Sequence, residues 1–254
     1  MLQKKFSIKI IAVVAFFSLT SSFASSIEYL KNLDISAAIG PTWSLADNTN
    51  LQLSSIETDI DRVSHITKST TYRAGLGYHF FADQLNNRPF FNDLLVQINW
   101  SHNSATIKGL VWDNGNPNVA NQSFHTPFTT TSLMLDIKPS LFTFYQTSFY
   151  PIAGLGLAWN QVSYYDTPID PETPSWATSG IQLPQASNKS IAYDLGCGFR
   201  TNLTKHLSTS LEYVNTYLGR MAPNAQSLSE QSIIKPPVFP VRSQTVFLGF
   251  SWTF

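Results

Sequence analysis

The chain has 254 residues, of which 43% are hydrophobic and 13% aromatic, and its 16 Lys and Arg balance 16 Asp and Glu. That balance excludes the clustered basic surface that a nucleic-acid partner needs, and the single Cys excludes an intramolecular disulfide framework. The length allows one large domain or two small ones.

Residues 1–24 read as a secretory signal peptide. Lys4, Lys5 and Lys9 precede an apolar run over Ile10–Leu19 broken only by Ser18, and small residues lead to a cleavage site expected after Ala24. Their removal takes away three of the 16 basic residues and no acid, so the mature chain carries about −3. Residues 25–32 form a short N-terminal segment, and one domain is expected over 33–254. Nowhere after Ala24 does an apolar run reach the length of a transmembrane helix.

From Leu33 onward the apolar residues alternate with polar or small ones, which is the period of a β-strand with two unlike faces. The first strand is expected over Leu33–Trp43, with Ile35, Ala37, Ile39 and Trp43 on its apolar face. Ser44–Lys68 is polar and reads as a long loop. The second strand, Thr70–Phe80, sets Tyr72, Ala74, Leu76, Tyr78 and Phe80 against Arg73, Gly75, Gly77 and His79. After a turn over Phe81–Asn92, the third strand covers Asp93–Asn103, with Leu95 misplaced on the polar face; a continuation to Trp112 fits the pattern. Asp113–His125 reads as a loop, Thr126–Lys138 as the fourth strand and Pro139–Ser148 as a turn.

The fifth strand is expected over Phe149–Tyr165 and the sixth over Asn188–Asn202, joined by a Pro-rich loop, Asp166–Ser187. A tight turn at Leu203–His206 leads to the seventh strand, Leu207–Leu218. Gly219–Pro240 is again long and Pro-rich, and Val241–Phe254 is the eighth strand. Short connections thus alternate with long ones, which is the asymmetry of a barrel with turns on the periplasmic side and loops outside.

The last strand, with Val246, Leu248, Phe250, Trp252 and Phe254 on one face, resembles the C-terminal assembly signal of bacterial outer-membrane β-barrels. Residues 33–254 resemble the small eight-stranded barrels of the OmpA transmembrane-domain and opacity-antigen type. The resemblance implies an all-β, eight-stranded antiparallel transmembrane barrel in the outer membrane, monomeric, without cofactor or metal. It implies contact with membrane lipid, lipopolysaccharide and the barrel-assembly machinery, and a structural or surface-interaction role through the outer loops. A narrow pore or transporter for small solutes or hydrophobic molecules is the alternative.

On the polar faces, Arg73, Lys138 and Arg200 match Asp136, Asp194 and Glu212 in number, so ion pairs filling a narrow lumen are expected. Glycines Gly75, Gly77, Gly154, Gly156, Gly196 and Gly198 share that face, which fits either tight curvature or local space. No nucleophile motif, phosphate loop or metal-spaced His pair occurs, and no catalytic residue is assigned. His102 and Ser104 share one face and resemble the His-x-Ser pair of the outer-membrane lipid A deacylases, but no carboxylate can be matched to them. A lipid A hydrolase is therefore the least favoured reading.

Overall fold

The computed structural model describes residues 31–53, 58–81, 93–120, 122–169, 180–225 and 235–254. The expected signal peptide and nearly all of the segment after it, as well as most of the turn after Phe80, lie outside the described residues. Among the described residues, eleven strands form one antiparallel sheet: β1 (Leu33–Ala46), β2 (Thr49–Gln52), β3 (Thr58–Ile66), β4 (Ser69–Phe81), β5 (Asp93–Trp112), β6 (Gln122–Ser140), β7 (Phe142–Phe144), β8 (Thr147–Pro168), β9 (Gln182–Asn202), β10 (Leu207–Met221) and β11 (Phe239–Thr253).

Eight of these close a ring in the order β1-β4-β5-β6-β8-β9-β10-β11, and β11 returns to β1 through Ile35↔Trp252, Ile39↔Leu248 and nine further partners. Closure leaves no edge, so every strand of the ring has a neighbour for its backbone groups on both sides. The register also fixes the shape. The row of partners that starts at Phe199 on β9 runs through Leu211, Leu248, Ile39, Tyr72, His102, Thr131 and Trp159. It returns to β9 at Lys189, ten positions from its start. That stagger over eight strands corresponds to a tilt of roughly 40°.

The faces follow the alternation. Ile39, Leu76, Ile98, Leu133, Leu135, Leu155, Ile191, Leu195, Leu211, Leu248 and Phe250 stand exposed on the outside, while Asp34, Arg73, Gln97, Asn99, Asp136, Lys138, Asp194 and Glu212 are buried inside. Leaving such a band of large apolar residues in water would cost about 25 cal/mol for each Å²; hydrocarbon removes that cost. Trp43, Trp100, Trp159 and Tyr217 edge the band toward the loop ends of their strands, and Phe80, Phe142, Phe199 and Trp252 toward the turn ends. The chain is an eight-stranded transmembrane β-barrel of the outer-membrane type.

Two expectations need correction. Ser44–Lys68 is not simply a loop: β1 runs on to Ala46, and β2 and β3 make a hairpin whose second strand pairs β5 from Ile60↔Trp112 to Ile66↔Ile107. The hairpin escapes a periodicity search because Asp59 and Asp61 point inward and Ile60 outward, which inverts the usual pattern. The long connections are also shorter than expected. Strand β6 begins at Gln122, β8 continues to Pro168, β9 begins at Gln182, and β10 and β11 reach Met221 and Phe239. On the other side, β7 folds the Pro139–Ser148 turn into a small hairpin against β8, with Tyr145 at φ 54 in its tip.

Candidate functional site: the filled lumen and the extension above it

The lumen is packed in layers. In the turn-side half, Glu212 is the hub. Its Oε1 accepts from Lys138 Nζ at 2.9 Å and from the Tyr150 hydroxyl at 2.8 Å, and its Oε2 from Arg73 Nη1 at 3.3 Å. Arg73 also faces Asp194 at 3.6 Å and lies over the Phe247 ring, 4.1 Å from its centroid. Lys138 donates to Gln97 Oε1 at 2.9 Å, Gln97 donates to Ser36 at 2.8 Å, and Asn99 donates to Asp136 at 2.7 Å. Near the mouth, His79 Nδ1 lies 2.8 Å from Asp93 and its Nε2 3.4 Å from Asp34, with Arg200 3.7 Å from Asp93.

Of the six residues expected to form lumen ion pairs, Arg73, Lys138, Asp194 and Glu212 therefore join one network. Asp136 pairs with Asn99 instead of a cation, and Arg200 belongs to the mouth cluster, which Gln97 ties to the same network by donating to Asp34 at 3.2 Å. The three-to-three balance does not hold either, because Asp34 and Asp93 add two carboxylates and His79 one basic group. All three sit where strands meet turns. His79 already had the right parity, but a neutral imidazole does not enter a charge count.

The inward glycines supply space for neighbours. A Cβ on Gly75 would meet Asn99 Oδ1 at 2.3 Å and Ser36 Oγ at 2.6 Å, and one on Gly154 would meet Asp136 Oδ1 at 2.2 Å. Gly198 faces Tyr150 and Glu212, and Gly77 faces Leu95, the apolar residue that broke the pattern of its strand. Small residues on one strand thus admit long ones from the next.

Above the ion layer comes a layer of hydroxyls and amides: Thr42 with Thr71 and Thr245, Ser101 with Ser132, and Thr130 with Asn160. Among the described residues, two cavities of about 20 Å³ flank Arg73. One is lined by Asp34, Gln97, Lys138 and Glu212, the other by Thr71, Ser101, Thr130 and Thr245. Each has room for about one water. Higher still, the interior turns apolar. Ile107, Val111, Phe124, Phe128, Tyr164, Met221 and Phe239 are buried together, and Phe124 stacks on both Tyr164 at 5.8 Å and Phe239 at 5.9 Å.

This apolar cap fills an extension of the barrel above the upper aromatic edge, built from the long ends of β5, β6, β8 and β9 together with the β2–β3 hairpin. Asp59, Asp61 and Asp166 are buried beside it. The Tyr164 hydroxyl donates to Asp61 Oδ1 at 3.1 Å, the Ile181 amide donates to Asp166, and the Asn114 amide to Asp59 at 2.9 Å. Burial pushes the Asp61 carboxyl well above the ordinary carboxylate range, and Asp166 and Asp59 add to the rise. Burial, with Asp59 adding, likewise raises Asp166 to about 7. Among the described residues, no group of three or more His, Cys, Asp or Glu side chains is arranged to hold a metal ion.

On the outer wall, His102 stacks on Trp100 at 6.1 Å and its Nδ1 lies 3.1 Å from Thr131 Oγ1. Ser104 accepts from Thr129 at 3.5 Å. Each is thus held by a threonine of β6, rather than His102 by Ser104. Val246, Leu248, Phe250 and Trp252 lie on the same wall, and the Phe254 amide donates to Leu33 O at 3.1 Å across the closing seam.

No protein-family model matches the chain, and no curated protein does. Solved structures of similar fold include the Neisserial surface protein A, at 16% identity over 87% of this chain and 97% of that one, with a TM-score of 0.37. The outer membrane protein OprG of Pseudomonas aeruginosa matches at 14% identity over 88% and 97%, TM-score 0.41. The outer membrane protease OmpT of Escherichia coli matches at 9% identity over 91% and 99%, TM-score 0.47. The place of the chain in the bacterial outer membrane follows from its own closed ring and apolar wall.

Proposed function

We propose that this barrel is a closed anchor that holds a rigid β-extension outside the membrane, and that its biological work is surface interaction through that extension and its loops. The observation that carries this reading is the filled interior. Arg73, bonded to Glu212 beneath the hydroxyl layer and backed by Phe247, separates two water-sized cavities, and the apolar cap closes the outer end. A solute pathway would need a continuous polar channel, which this layering does not support. The extension, by contrast, has its own core, so it holds strand ends such as Trp112, Gln122, Pro168 and Gln182 on a fixed base.

Purified full-length protein in planar bilayers tests the closed lumen. Silence is expected at high salt, and reproducible single-channel steps would overturn the reading in favour of the pore. Display on the surface of an otherwise non-adherent bacterium tests the second half. Adherence to cultured epithelial cells or matrix proteins should fall when residues 47–67 are replaced by a short turn. Unchanged or absent adherence would reject the extension as the interacting part.

A further inference from the structure

Charge on the outer wall of the extension is sorted by sign. On the described strand segments above the upper aromatic edge, the outward-facing Asp, Glu, Lys, Arg and His side chains are Arg62, His65, Lys108, His125, Lys189, Arg220 and Arg242, whereas Asp59, Asp61 and Asp166 turn inward. Three of these cations gather on neighbouring strands right at the membrane edge. Arg242 on β11 stands opposite Tyr217 on β10, and Tyr217 stands opposite Tyr193 on β9, their rings stacked at 5.0 Å. Arg220 is opposite Pro240 and therefore diagonal to Arg242, a separation of about 7–8 Å that long side chains close. Lys189 is opposite Trp159, and the neighbouring Ser190 Oγ donates to Arg220 O at 3.5 Å, which brings Lys189 beside Arg220. Among the described residues none of the three has an ion-pair partner.

Directly below lie the exposed Ile191, Leu195, Leu211 and Leu248 of the same three strands. The wall therefore offers, from the outside inward, three cations without an ion-pair partner among the described residues, a stacked tyrosine pair and an aliphatic face continuous with the membrane belt.

We propose that this patch on β9, β10 and β11 is a binding site for a phosphorylated, multiply acylated glycolipid of the outer leaflet. Lys189, Arg220 and Arg242 hold its phosphate, Tyr193 and Tyr217 lie against its sugar, and the aliphatic face takes an acyl chain. Arginine suits this task because its planar fork engages two phosphate oxygens at once. The apolar belt below confines the ligand to a lipid, since a soluble phosphate would leave that face unused. The inference rests on the membrane-spanning reading and names one lipid contact of that wall.

The test is native mass spectrometry of the full-length protein in detergent, titrated with bisphosphorylated lipid A, with lipid A stripped of both phosphates, and with inorganic pyrophosphate. Bisphosphorylated lipid A should form a 1:1 complex, weakened about tenfold in the Arg220→Gln/Arg242→Gln double variant and unchanged in Lys205→Gln, which lies in a turn at the far end. Equal binding by the double variant, equal binding of the phosphate-free lipid, or binding of pyrophosphate as tight as that of the lipid would each overturn the proposal. Both variants should show the wild-type gel shift between unboiled and boiled samples. A loss of that shift in the wild type would indict the barrel reading instead.

Discussion

Replacing Glu212 with Gln should unsettle the barrel from its centre. The carboxylate lies 2.9 Å from Lys138 Nζ and 3.3 Å from Arg73 Nη1. At the effective screening found inside proteins, each such attraction is on the order of 5 kcal/mol before desolvation. Desolvation has already been spent on the cations, and Gln would leave that cost in place while removing the charge that offsets it. Arg73 would keep Asp194 at 3.6 Å, but Lys138 would keep only the Gln97 carbonyl. The loss is therefore that of about one buried cation left unpaired, about 3–5 kcal/mol. Equilibrium urea unfolding in lipid vesicles, followed by tryptophan fluorescence, would measure it. Adding Lys138→Met to Glu212→Gln should restore at least half of the loss, since the orphaned cation is then gone. A Glu212→Gln variant within about 1 kcal/mol of wild type would refute the reasoning, because the lumen network would then contribute no more than a surface pair.

The extension should loosen as the solution is brought from acid to neutral pH. Asp166 holds its proton up to about 7 when folded, against an ordinary 3.8, so the folded extension binds a proton that the opened one releases. Its stability is full below about pH 4 and falls as pH rises through 7, by on the order of 4 kcal/mol. Asp166→Asn should remove the Asp166 share of that dependence and leave the share of the raised Asp61 carboxyl, and amide exchange in β2 and β3, corrected for intrinsic rates, would show it; identical pH profiles for variant and wild type would count against the buried Asp166 carboxyl. At the closing seam, a Cβ on Gly40 would lie 2.0 Å from Val246 O, a backbone atom, whereas one on Gly249 would first meet the Ser210 hydroxyl at 2.7 Å. Gly40→Ala should therefore cost about 1–3 kcal/mol and Gly249→Ala under 1 in the same unfolding assay, because a hydroxyl can rotate and the seam backbone cannot.

The eight ring strands were legible because lipid outside and polar groups inside enforce the same two-residue period on each of them. Tyr72 to Phe80 and Val246 to Trp252 carry that period almost unbroken. Even the misplaced Leu95 had a physical reason that only the register reveals: it fills the space that Gly77 leaves. The extension was much less legible, because above the membrane both faces change character. The interior there is apolar, so Phe124, Tyr164 and Leu183 point inward, while the outer wall carries Lys108 and Arg62. The inward Asp59 and Asp61 then hid β3 inside an apparent loop. In the lumen, parity identified who faces inward but not who touches whom. Asp136 was matched to a cation by counting alone, and its actual partner is Asn99.

Cys197 tests the central claim most directly, since the sequence contains no other cysteine and this one lies on the outer face between Leu195 and Phe199. The protein would be labelled there with an environment-sensitive fluorophore and refolded into vesicles containing spin-labelled acyl chains. A barrel with its apolar face in lipid predicts a blue-shifted probe quenched by the acyl-chain label and untouched by aqueous iodide. A probe quenched by iodide but not by the lipid label would mean that this face meets water, and the lumen, the extension and the glycolipid patch would all have to be reassigned.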